Sequence, residues 1–208
     1  MTSGPIARER LRRYYRPDRV RILFVGESPP ASGRFFYQKD SGLYHAVKQT
    51  FLTAFPSIRE SEFLDSFRAL GCYLVDLCGE PVDRMTNDAR RYACRSGEVR
   101  LARTIRALRP EIIVTIVRSI GENVRRAWEQ AAWSGPHFEL PYPGRWYRAR
   151  VQFSRQLVPL LRETVGGDQI ATASFASTKG TIKWQCVIHC SISLDFVRTL
   201  MKTRLCVD

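Results

Sequence analysis

Apolar residues gather in short runs separated by longer segments with helical spacing. "VRILFVG" (Val20–Gly26), "CYLVDLC" (Cys72–Cys78) and "EIIVTIV" (Glu111–Val117) are runs of strand length, and the last is β-branched and almost wholly apolar. Such runs predict strands buried on both faces. "HFELPYPGRW" predicts a fourth, shorter strand that enters a Pro/Gly loop. Between them lie helical segments: a basic one over Ile6–Tyr15, then "SGLYHAVKQTFLTAF", with Leu43, Val47, Phe51 and Leu52 on one stripe. Asp40 or Ser41 is placed to cap that second helix, and Pro56 to end it. "SEFLDSFRAL" predicts a third, stopped by Gly71. "EPVDRMTNDARRY" is polar and predicts a connection, followed by a helix from about Gly97 to Leu108 that Arg109–Pro110 ends. "SIGENVRRAWEQAA" and "RARVQFSRQLVPLLRETV" complete the set.

Strands alternating with helices predict an α/β fold: a three-layer α/β/α sandwich with a central, mostly parallel four-stranded sheet. Residues 1–165 form this domain. From 166 to 208 the texture changes, and the reading is a carboxyl-terminal extension with no periodic match to the rest. In a parallel sheet, ligands collect at the carboxyl ends of the strands. The loops "GESPP" and "LPYPGRW", and the end of "CYLVDLC", should therefore share one edge.

Charge adds a partner. The chain has 33 Lys+Arg against 20 Asp+Glu, a formal charge of +13, and most of the cations are arginine. Guanidinium pairs bidentately with phosphate, so a nucleic acid is the expected partner; a generally basic composition is the alternative. No apolar run approaches the ~18–20 residues that span a bilayer, and "MTSGPIARERLRRYYR" lacks the apolar centre of a secretory signal. A monomer is expected without a membrane partner, in a bacterial-type cytoplasm close to the nucleoid. Six cysteines contain no CxxC pair, and neither metal nor cofactor is expected.

The order of motifs from Val20 to Val165 resembles the uracil-DNA glycosylase superfamily, nearest its bacterial branch with a "GEAPG" first motif. "FVGESPP" resembles that motif. "GRFFYQKDSGLY" is similar to the segment after it, in which an aromatic stacks on the extracted base; Phe36 falls at that place. "YLVDLCGEPVDR" and "LRPEIIVTIVRSIGENV" resemble the family's middle strand and the elements before its last motif. "LPYPGRW" stands where the family has "HPS" and a loop that wedges into DNA. The resemblance implies excision of uracil or a similar deaminated base. Three departures stand beside it. Tyr142, or Pro141, occupies the place of the histidine that stabilises the leaving base. Asp76 is the nearest polar residue to a missing asparagine. The related branch holds an iron–sulfur cluster on four cysteines; Cys78 and Cys94 have the spacing of two, but the amino-terminal pair is absent.

The same residues have a chemical reading of their own. Cleaving a base from deoxyribose develops positive charge on the sugar and negative charge on the base, so donors near the base and a carboxylate near the sugar lower the barrier. Gly26 lets the chain turn at the strand end, and Pro29 and Pro30 stiffen the loop beyond it. Glu27 and Asp76 are the candidate carboxylates, with Ser28 beside them. A solvated turn glutamate and a capping aspartate are the plainer alternatives. Phe36 and Tyr37 are candidate base contacts, a stacked base being worth ~1–3 kcal/mol; anchoring the loop to the core is the alternative. Tyr142 offers a hydroxyl donor, or packs between its prolines. Arg145, Trp146 and Arg148 are candidates for the plug and phosphate contacts that base flipping needs. Arg84, with Arg90, Arg91 and Arg95, forms a basic run that either lies along a DNA backbone or is simply solvated. Two other readings remain open: a non-catalytic nucleic-acid-binding protein on the same fold, and a hydrolase with Ser28 as nucleophile, for which His137 and His189 are poorly placed partners.

Overall fold

Four strands run parallel in the order β2-β1-β3-β4. They are β1 (Ile22–Gly26), β2 (Cys72–Asp76), β3 (Ile112–Thr115) and β4 (His137–Glu139). The computed structural model describes residues 4–144 and 146–166. The six α-helices among them are α1 (Pro5–Tyr14), α2 (Gly42–Ala54), α3 (Phe63–Ala69), α4 (Asn87–Leu108), α5 (Gly121–Gln130) and α6 (Tyr147–Val165). The expected α/β sandwich is therefore present, with a sheet that is parallel throughout. Expectations that fall on 167–208 lie outside the described residues.

The topology grows out of the apolar runs. Every residue of β1 and β2 is buried, as it must be for strands covered on both faces. The connection from β1 to β2, through α2 and α3, steps one way along the sheet. Those from β2 to β3, through α4, and from β3 to β4, through α5, step the other way. Right-handed crossovers in opposite directions put their helices on opposite faces. Accordingly α4 packs on α5, and α2 on α6.

Local chemistry sets the helix ends. Ser41 caps α2, its Oγ accepting from the Tyr44 N–H at 3.1 Å. Asp40, the other candidate cap, instead accepts from the Phe35 N–H at 2.8 Å and ties down the aromatic loop. Helix α4 begins ten residues before its expected start, at Asn87, with Thr86 as its cap. Its first turns carry no apolar stripe because they are largely exposed, and periodicity alone does not show them. Further along, α4 lies so close to the end of β2 that a Cβ on Gly97 would stand 2.3 Å from the Leu77 carbonyl oxygen. Only glycine fits that approach. Between α4 and α5, the buried Glu98 carboxylate accepts from Asn123 Nδ2 at 2.7 Å and from Arg126 at 2.8 and 3.0 Å.

Candidate functional site

Strands β1 and β3 are neighbours, yet the chain leaves them in opposite directions. The loops therefore diverge at their carboxyl ends and leave a crevice, the usual ligand position in such sheets. A cavity of about 460 Å³ lies there. Gly26, Glu27, Ser28, Phe36, Asp76 and Tyr142 all line it. The two loops expected on one edge do share it, and the end of β2 joins them.

Backbone bonds hold this edge in shape. Beyond the β1–β2 ladder, the Leu77 N–H donates to Gly26 O at 2.8 Å and the Cys78 N–H to Glu27 O at 2.7 Å. Ser28 Oγ accepts from the Val82 N–H at 3.3 Å, and Asp83 Oδ1 from the Ala31 N–H at 3.0 Å. The proline loop is thus pinned to the segment after β2.

Neither carboxylate is bare. Glu27, with its side chain 15% exposed, accepts from Arg90 Nε at 2.6 Å and Nη2 at 2.5 Å. That clamp raises the Arg90 guanidinium above its ordinary pKa. Each Glu27 oxygen retains lone-pair capacity for a water or a sugar hydroxyl. Asp76 is opposite Gly26 in the strand register. Its Oδ2 accepts from Arg12 Nη2 at 2.8 Å. A Cβ on Gly26 would lie 2.9 Å from its Oδ1, so glycine keeps room for that oxygen. Burial pushes the Asp76 carboxyl above the usual aspartate range, against the opposing pull of Arg12 and Arg100.

The aromatic loop resolves the choice between stacking and anchoring residue by residue. A 3₁₀ turn over Phe36–Gln38 sends successive rings in different directions. Phe35 and Phe36 form part of the crevice wall. Phe36 meets Tyr37, Phe67 and Tyr44 at centroid distances of 5.1, 5.5 and 5.9 Å. Tyr37 is corrected from a substrate contact to a structural residue. It is buried away from the crevice, and its hydroxyl donates to Leu74 O at 3.1 Å and accepts from Leu74 N–H at 2.8 Å.

Tyr142, 49% exposed, stands at the mouth. Burial of part of the ring raises its pKa, which keeps the hydroxyl a donor. Trp146 is 78% exposed, and Arg84 and Arg148 are exposed, all on segments that come after strand ends. Arg145 lies outside the described residues. No histidine among the described residues lines the crevice. His137 is at the start of β4, its Nε2 2.8 Å from Thr115 Oγ1, so Ser28 gains no base from it.

Cys78 and Cys94 do meet, with Sγ atoms 3.7 Å apart, and Cys94 Sγ lies 3.8 Å from Glu27 Oε1. Burial raises both thiols, that of Cys78 to about 12. No third thiol approaches among the described residues, where Cys72 is at the opposite end of β2. Two protonated thiols beside a carboxylate do not fit a four-thiolate cluster.

Sequence reasoning missed Arg12 and the pairing role of Arg90, because each partner lies more than sixty positions away. It also passed over Arg34, which lines the crevice. The chain matches no protein-family model and no curated protein.

Proposed function

We propose that the crevice receives a base swung out of DNA and that the chain is a DNA glycosylase acting on uracil or a similar deaminated base. The observation that carries this reading is convergence: Glu27, Phe36, Asp76 and Tyr142, from four separate segments, border one cavity at the β1/β3 divergence. In this reading the Phe35 and Phe36 wall bounds the base. Asp76 Oδ1 accepts from an imide or amide N–H, and the Tyr142 hydroxyl donates to a base oxygen. Glu27, fixed by Arg90, orients water or faces the developing charge on the sugar. The exposed Arg84, Trp146 and Arg148 hold the distorted strand.

A second reading is binding without cleavage. It is favoured by the double hold of Arg90 on Glu27, which offsets the carboxylate's charge, and by a tyrosine where a histidine is expected. One assay separates the two. Duplexes carrying uracil, hypoxanthine or xanthine are incubated with the protein and then treated with alkali to cut abasic sites. Scission that disappears in Glu27→Gln is the result expected of the enzyme. Salt-sensitive binding of the same duplexes with no scission under single-turnover conditions would overturn catalysis and leave the binding module.

A further inference from the structure

A second cavity, of about 400 Å³, lies between α1 and α4 beside the edge strand β2. Four arginines line it: Arg12, Arg13 and Arg16 from α1 and the residues just after it, and Arg100 from α4. The carboxylates present, Glu9 and Asp76, are already engaged. Glu9 accepts from Arg12 at 2.8 Å and Arg13 at 3.1 Å, and Asp76 from Arg12 at 2.8 Å. Arg100 spends one Nη2 on the carbonyls of Asp76 and Leu77, at 2.6 and 2.9 Å.

Donors are left over. Arg12 Nε is buried with no acceptor. Arg16 makes no ion pair among the described residues. Tyr73 lines the same cavity, and burial holds its hydroxyl protonated, its pKa pushed up to about 12. Four guanidinium groups against two carboxylates leave a cavity short of two negative charges. Guanidinium forks suit tetrahedral oxyanions, and a phosphate monoester carries about −1.5 to −2 at neutral pH.

We propose that this cavity is a phosphate-monoester site, with Arg12, Arg16, Arg100 and Tyr73 as its donors. Arg12 is then shared: an anion drawing on its guanidinium loosens the hold on Asp76, which borders both cavities. Occupancy of the edge site thereby alters the charge presented to the β1/β3 crevice.

Calorimetric titration of the full chain with sodium phosphate, at ionic strength fixed with chloride, tests the site. One saturable event is expected, weakened about tenfold, ~1.4 kcal/mol, in Arg16→Glu and in Thr104→Glu. These two surface changes sit on opposite walls. A 5′-phosphorylated oligonucleotide, compared with the same strand lacking its phosphate, distinguishes a DNA end from a free phosphate. Asp76→Asn releases Arg12 and is expected to tighten phosphate severalfold. Heat that never saturates, or wild-type affinity in both charge variants, overturns the site. Unchanged or weaker phosphate affinity in Asp76→Asn overturns the shared arginine. The phosphate titration contains no DNA, so its outcome stands apart from whether the crevice cleaves a glycosidic bond.

Discussion

Arg90 closes on Glu27 with two nitrogens at once, Nε at 2.6 Å and Nη2 at 2.5 Å, across 63 positions of sequence. A bidentate clamp fixes the plane of the carboxylate as well as its position. The residue most expected to face a reacting sugar is therefore held by the first turn of α4, the stretch whose composition suggests a polar connection.

Glu27→Gln is expected to lower excision about 100-fold with little change in the urea midpoint, because the orphaned Arg90 side chain is 39% exposed and stays solvated. Arg90→Lys keeps the charge but loses the fork, and a smaller fall of about tenfold is expected. Single-turnover rates on a uracil duplex, set beside urea melts, check both. Equal rates in wild type and Glu27→Gln would remove the carboxylate from the chemistry.

Phe36 serves the crevice and the core together, so alanine is a poor probe. Phe36→Ala is expected to cost about 3–5 kcal/mol of stability. Phe36→Leu conserves most of the volume and is expected to cost under about 1.5 kcal/mol, while weakening the complex with a uracil-containing strand by ~1 kcal/mol or more. Fluorescence-anisotropy titration and chemical denaturation of the two variants give the comparison. Full affinity in Phe36→Leu would confine the ring to packing.

Arg84 and Arg148 are exposed on the edge that carries the crevice. If each neutralises one phosphate, Arg84→Ala and Arg148→Ala each flatten the slope of log K against log salt by about 0.9 for duplex DNA. Trp146→Ala is expected to weaken binding without altering the slope. Titrations over a range of sodium chloride concentrations supply all three values. An unchanged slope in both arginine variants places the DNA elsewhere.

His137 titrates below its ordinary value because burial disfavours the imidazolium, although Glu139 pulls the other way. With the folded value depressed, its contribution to stability is fully present above the unfolded pKa near 6.5. It is lost as pH falls through the folded value, where the unfolded chain binds the extra proton. Urea midpoints should therefore drop from pH 8 to pH 5, and His137→Gln should flatten that part of the curve. A wild-type profile no steeper than that of His137→Gln would contradict the assignment.

The strands were legible because each is a short apolar run with a turn after it, and their parallel order was legible from the alternation with helices. The shared edge of the "GESPP" and "LPYPGRW" loops was legible for the same reason. What the pattern hid was long-range or aperiodic. Arg12 and Asp76 are 64 positions apart, and nothing local in a basic helix marks one arginine as the partner of a buried carboxylate. Tyr37 resembles a site residue because three consecutive rings cannot share one helix face. The 3₁₀ turn solves that by burying all three rings while turning only two toward the crevice. The early start of α4 carried just one local signal, the Thr86 cap, since exposed polar turns have no stripe to read.

Helix α1 forms no strand pairing, yet it alone delivers Arg12 to Asp76 and stacks that guanidinium over the Phe35 ring, 5.3 Å from its centroid. A chain shortened by its first sixteen residues would keep all four strands and still present a different crevice, in which Asp76 has lost its ion-pair partner and keeps only the pull of Arg100.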